Sequence, residues 1–138
     1  MSAEVFVDSN VLIYAHDLDA GRKRIIASDI LRELWAARRG TLSTQVLQEF
    51  YVNATRKIAK RIAPAAAREI VANYCAWHVE AVGPETILRA SEIEERYRLS
   101  FWDALIVAAA ARCGAATILS EDMNAGQSIE GILIENPF

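Results

Sequence analysis

Asp103 is the only charge in the run Phe101-Trp102-Asp103-Ala104-Leu105-Ile106-Val107-Ala108-Ala109-Ala110-Ala111. A run this apolar has to be buried, and an ionised carboxylate at its start is costly unless a partner meets it. Three further acids stand in similar surroundings. Asp8 ends Val5-Phe6-Val7, Glu49 borders Val46, Leu47 and Phe50, and Asp122 follows Ile118-Leu119-Ser120 with Glu121 beside it. Almost no Lys or Arg lies locally in any of these stretches, so the fold must bring the carboxylates a partner from elsewhere. A bound cation would serve all four. Brought together, they would form an oxygen-rich pocket suited to a hard divalent ion such as Mg²⁺ or Mn²⁺.

The pattern around the acids alternates strands with helices. Glu4 to Asp8 reads as a short buried strand, because Val5, Phe6 and Val7 are continuous and β-prone. A short helix over Val11 to Tyr14 follows a sharp turn. A longer one runs from Arg22 to Arg39, with Ile26, Ile30, Leu34 and Ala37 at helical spacing, Ile25 and Leu31 widening the stripe, and Gly40 as its C-terminal cap. Thr41-Leu42-Ser43 is a small strand, and Ser43 or Thr44 caps a helix whose apolar face is Val46, Leu47, Phe50, Tyr51, Ala54 and Ile58. Pro64 opens a helix to about Cys75. His78 to Val82 alternates as a strand, and Gly83-Pro84 opens a helix to about Arg98. Ser100 caps the apolar helix that ends at Cys113-Gly114; Ala116 to Ser120 and Gly131 to Glu135 close the chain as strands. Such alternation predicts an α/β fold with a parallel sheet covered on both faces.

A length of 138 residues suits one domain over 1–138 with one core and no linker. No segment reaches the roughly 18 continuous apolar residues of a membrane span, and MSAEVFVD lacks the basic-then-apolar pattern of a leader, so the expectation is a cytoplasmic protein with no membrane partner. Cys75 and Cys113 have no His nearby at zinc-ligand spacing and read as buried, reduced thiols. A net charge of −3 argues against a generally basic nucleic-acid coat but leaves room for a local patch. Two clusters are candidates to hold nucleic-acid phosphates: Arg22, Lys23 and Arg24, and Arg56, Lys57, Lys60 and Arg61. The competing reading of each is a solvated helix end. His16 and His78 show no partner pattern for nucleophilic or metal work and read as structural or surface residues.

In open parallel α/β sheets ligands bind beyond the carboxyl ends of the strands, which is where Asp8 and Asp122 are predicted to lie. Asp103 falls in the first turn of a helix, where the backbone dipole favours a carboxylate. Glu49 falls in the second turn of its own helix. Each acid also has a plain reading: Asp8 as an N-cap, Asp103 as the acid of a capping box with Ser100, Glu49 as a solvated edge residue, Asp122 as part of a surface turn with Asn124 and Gly126. All four would then be coincidences in four different elements.

The segments carrying the acids resemble those of the PIN-domain ribonucleases, and most closely the VapC-like toxins of bacterial toxin–antitoxin pairs. Phe6-Val7-Asp8-Ser9-Asn10-Val11-Leu12-Ile13-Tyr14 is similar to the family's opening segment, and Ser43-Thr44-Gln45-Val46-Leu47-Gln48-Glu49-Phe50-Tyr51 to the one with its second acid. Leu99-Ser100-Phe101-Trp102-Asp103-Ala104-Leu105-Ile106 and Leu119-Ser120-Glu121-Asp122-Met123 resemble the third and fourth, and Asn136-Pro137-Phe138 a common ending. The resemblance spans the whole chain in the expected order. It implies a three-layer α/β/α domain with a mainly parallel central sheet that hydrolyses RNA phosphodiester bonds with Mg²⁺ or Mn²⁺, a homodimer, and a cognate antitoxin. By position it gives the acidic roles to Asp8, Glu49, Asp103 and Asp122, with Asp8, Asp103 and Asp122 on the metal and Ser9, Asn10 and Ser120 in support. Some members carry a further acid near the third position; here Phe101 and Trp102 precede Asp103, and Glu121 is a partial substitute.

The residue types fit that chemistry. An anionic phosphodiester repels bare carboxylates, and a metal both neutralises it and lowers the pKa of a bound water, while Glu49 orients or deprotonates the attacking water. An aspartyl-nucleophile phosphatase would usually need a second Asp two positions after Asp8, where Asn10 stands. A nucleotide-binding module would need a glycine-rich phosphate loop, which the chain lacks. The remaining rival is a non-catalytic α/β interaction domain that keeps its acids as caps or pairs.

Overall fold

The computed structural model describes residues 4–138; residues 1–3, where the reading of a leader begins, lie outside them. The chain runs β1 (Glu4–Val7), α1 (Ser9–His16), α2 (Arg22–Ala37), β2 (Gly40–Ser43), α3 (Thr44–Arg56), α4 (Pro64–Tyr74), β3 (His78–Glu80), α5 (Pro84–Tyr97), α6 (Phe101–Arg112), β4 (Ala115–Leu119), β5 (Ser128–Ile129) and β6 (Ile132–Glu135). The sheet order is β3-β2-β1-β4-β6-β5, parallel throughout except for β5 against β6. Helices α1 to α4 fill the two crossovers that step outward from β1, and α5 and α6 return across the sheet to β4, giving the three-layer α/β/α arrangement. Strand order reverses beside β1, so a crevice opens between the carboxyl ends of β1 and β4.

Burial follows from composition. Phe6, Val7, Leu42, Ile118 and Ile134 are fully buried in the sheet, as a parallel sheet covered on both faces requires. Ala104 to Ala110 are all buried, so α6 is apolar all round, and its alanines let it lie close against β2, β3 and β4. One contiguous core cluster joins these residues to Val11, Leu12, Leu31, Leu34, Val46 and Phe50. Among the described residues, no helix is long and apolar enough to cross a membrane.

Several local readings change. The buried face of α2 is Ala27, Leu31 and Leu34; Ile25 and Ala37 are exposed, so the helix is rotated from the expected stripe. Its cap is Arg38, in the left-handed region at φ 55°, and not Gly40. Gly40 starts β2, and a Cβ there would come within 2.6 Å of three Trp77 ring carbons. The third strand stops at Glu80, because the Val82 N–H leaves the ladder to donate to Thr44 Oγ1 at 3.1 Å. β5 was not foreseen. It forms with β6 around Glu130 (φ 52°) and Gly131 (φ 78°), a two-residue hairpin with both central residues at positive φ. Sequence cues for such a turn favour Asn or Asp at the first of those positions, where this chain has Glu130. Cys75 is exposed rather than buried, and Cys113 is buried.

Gly40→Ala should lower unfolding stability by about 1–3 kcal/mol through overpacking against Trp77. In chemical denaturation the loss should shrink when Trp77→Ala is added. Additive losses from the two substitutions would show that this close approach is not the cause.

Candidate active site

Asp8 leaves the carboxyl end of β1 and caps α1, its Oδ1 accepting from the Ser9 N–H at 2.7 Å. That is the plain capping role, but only one of its oxygens is used in it. The other, Oδ2, accepts from the Ser120 hydroxyl at 2.7 Å and from the Asn10 amide at 3.3 Å. Asn10 Nδ2 also reaches Asp122 Oδ2 at 3.2 Å, Asn10 Oδ1 accepts from the Glu121 N–H at 3.2 Å, and Ser120 Oγ accepts from the Asp122 N–H at 3.2 Å. Asp8, Asn10 and Ser120 are buried. The segment after β4 is thus fastened to the start of α1 by side chains of Asn10 and Ser120 that reach two carboxylates and two backbone N–H groups.

Asp103 sits in the first turn of α6, where Ser100 Oγ accepts from its N–H at 3.1 Å. Among the described bonds its carboxylate makes no return bond to the Ser100 N–H, so only half of the capping box forms. A cavity of about 200 Å³ is lined by Asp103, Asp122, Arg98, Ser100 and Gln127. Glu49, half-buried on α3, faces the same group, since its charge and that of Asp122 both act on Asp8. Larger hollows exist; the 460 Å³ groove bordered by Ala15, Leu31, Trp35 and Tyr74 carries no carboxylate.

Electrostatics unite the four acids. Burial pushes the Asp8 carboxyl from an ordinary 3.8 up to about 6; the Ser120 and Ser9 bonds oppose this, and Glu49 and Asp122 add to it. Asp103 is also raised, first by partial burial and then by Asp122, with Ser100 opposing. Among the described residues none of the four makes an ion pair with Lys or Arg. Four carboxylates with hydroxyl and amide support are a donor set for a hard cation. No three of their oxygens all lie within 4.8 Å of one another, so among the described residues the acids form an open ring rather than a tight three-ligand cage.

The remaining candidates separate. Glu121 is not part of the ring: it accepts from Tyr14 OH and from Lys23 Nζ, each at 2.5 Å, and these bonds, Lys23's first, hold it below its ordinary value. Lys23 is therefore engaged within the fold, over the rings of Tyr14 and Phe138, while Arg22 and Arg24 stay exposed. Arg56, Lys57, Lys60 and Arg61 are exposed, with Lys60 paired to Asp19 at 3.5 Å, which sets the second cluster beside the loop that leads into the first. His16 packs edge-on to Phe50 and Tyr74, a structural placement. Arg98 is the residue sequence reasoning missed. It closes α5 in the left-handed region at φ 57° and lines the acid cavity.

The family model described as PIN domain matches residues 5–126. Among solved structures, a toxin–antitoxin complex from Klebsiella pneumoniae is similar at 20% identity and a TM-score of 0.71, covering 98% of each chain. The Mycobacterium tuberculosis toxin VapC20, described as cleaving the sarcin–ricin loop, aligns at 22% identity and a TM-score of 0.64 over 83% of this chain and 87% of that one. A DNA-bound VapBC from Salmonella typhimurium aligns at 17% identity and a TM-score of 0.69 over 99% and 100%. None of the curated protein sequences compared matches the chain.

Because folded Asp8 holds its proton more tightly than the unfolded chain does, the folded state is favoured at low pH and loses that advantage as pH rises through about 6. The loss is roughly 3 kcal/mol. In metal-free buffer, Asp8→Asn should therefore gain stability over the wild type between pH 4 and 7, less whatever its weaker hydrogen bonds cost, and added Mg²⁺ should narrow the gap. Urea titrations across that range check it; a gap that does not change with pH would contradict the burial argument.

Proposed function

The chain belongs to the PIN-domain family, and we propose that its four acids make it a metal-dependent endoribonuclease acting as the toxin of a toxin–antitoxin pair. The observation that carries this reading is Asp8: a buried carboxylate, facing Glu49 and Asp122, with no cation against it among the described side chains. Such a group is a receptor for an external positive charge, and the all-oxygen donors favour Mg²⁺ or Mn²⁺. When bound, a divalent ion offsets the negative charge of a phosphodiester and lowers the pKa of a coordinated water.

The protein's own residues then divide the work. Asp8 and Asp103 would hold the ion directly, and Asp122 would hold it directly or through water. Asn10 and Ser120 hold Asp8 and Asp122 in register, and Ser9 fixes the second Asp8 oxygen through its N–H. Glu49 orients the attacking water and accepts its proton. In-line displacement leaves a 5′-phosphate and a 3′-hydroxyl, as in the family. Arg22, Arg24, Arg56, Lys57 and Arg61 remain candidates for RNA phosphates, with Lys60 available on release from Asp19. The similar structures from toxin–antitoxin complexes support a cognate antitoxin; the homodimer, the cytoplasmic setting and a single nuclease domain over residues 1–138 belong to the same reading and rest on the family resemblance. An Arg or Lys from the antitoxin, seated on the acid ring, would block it by pairing with the same carboxylates.

Asp8→Asn and Asp103→Asn should each abolish RNA cleavage in Mg²⁺ while leaving the folded circular dichroism spectrum unchanged. Full cleavage by purified Asp8→Asn protein would reject the assignment, and undiminished cleavage in excess chelator would reject the metal. Equilibrium sedimentation should show a dimer at tens of micromolar; monomer alone would remove the dimer but not the nuclease.

A further inference from the structure

His78 and Glu80 stand two residues apart on the edge strand β3, so their side chains leave the same face, the one on which α6 packs. Cys113, at the C-terminal cap of α6, meets them there. One imidazole nitrogen, one carboxylate oxygen and the Cys113 sulfur all lie within 4.8 Å of one another, and theirs is the one such trio among the described residues. Asp103 lies ten residues back along α6, about 15 Å away at the helical rise, so this cluster is remote from the acid ring.

From this convergence we propose a second metal site, formed by His78, Glu80 and Cys113 and selective for a borderline-soft ion of the zinc class. The donor set decides the class, since a thiolate and an imidazole bind Zn²⁺ or Co²⁺ well and hard ions poorly. Donors on a tetrahedral zinc are about 3.3–3.8 Å apart, so a trio already within 4.8 Å needs to contract by no more than about 1.5 Å. His78 is exposed and free to turn inward, while Cys113 is buried and already in place. Arg112 donates to Glu80 Oε1 from Nε at 2.6 Å, the kind of outer hydrogen bond that orients a ligating carboxylate. On binding, the Cys113 S–H bond breaks, a sulfur–metal bond forms, and the proton leaves to solvent. Three protein ligands leave one position for water. The consequence is structural: the three-residue edge strand β3 is stapled to the end of α6.

The test uses tag-free, metal-free full chain and Co²⁺ alone as the probe. One equivalent should give a thiolate-to-cobalt charge-transfer band that Zn²⁺ removes by displacement. The band should be lost in Cys113→Ala, weakened at least tenfold in apparent affinity in His78→Ala, and retained in Cys75→Ala and in Asp8→Asn. Zn²⁺ should raise the Tm of the wild type but not that of His78→Ala, which, being an exposed change, should fold and cleave RNA normally. No thiolate band in the wild type, equal bands in wild type and His78→Ala, or loss of the band in Cys75→Ala would each overturn the site.

Discussion

The site depends on one buried hydrogen bond, from the Ser120 hydroxyl to Asp8 Oδ2 at 2.7 Å. It spans the β1–β4 junction, where the strand order reverses and where the backbone is also joined by the Asp8 N–H to Leu119 carbonyl bond at 3.0 Å. The same hydroxyl accepts from the Asp122 N–H, so one serine sets the positions of two acids. Burial and like charges both oppose ionisation of Asp8, and the hydrogen bonds offset this only in part. The fold therefore holds a carboxylate where it is unfavourable unless positive charge arrives. Other features of the crevice follow from this, including the use of Asn10 as an uncharged bridge between Asp8 and Asp122, where a third carboxylate would have added repulsion.

Much of the architecture was legible because parallel strands covered on both faces read as continuous apolar runs, and because Ser43, Pro64, Pro84 and Ser100 mark helix starts by side-chain chemistry that is local. The acids were legible for a related reason: a lone charge beside an apolar run is visible without knowing its neighbours. What failed was non-local. The rotation of α2 is decided by what α1 presents to it, which moves the buried face to Ala27, Leu31 and Leu34. Gly40 looked like a helix cap, yet its missing side chain makes room for the Trp77 ring, far along the chain. Lys23 read as part of a basic patch, and Glu121 as a spare acid; only the fold shows that they pair. Cys113 and His78 had no mutual spacing to betray them, since β3 and the end of α6 meet through the crossover.

Arg98 illustrates a cost the chain accepts. A left-handed residue at the end of a helix is usually glycine, and a side chain there is strained by roughly 1 kcal/mol. That residue lines the cavity that holds Asp103 and Asp122, with which it makes no ion pair among the described residues.

The pairing of β1 with β4 also sets when the acid ring comes into being. Asp8 and Ser120 are 112 positions apart, and the ring closes only after three helical crossovers have been laid down between them. Contacts of such separation form late and slowly, because the entropy of closing the intervening chain must be met first. A growing polypeptide that has released β1, β2 and β3 into solution still lacks Asp103, Ser120 and Asp122. The partly made chain therefore has no complete ring until the segment through Asp122 has emerged.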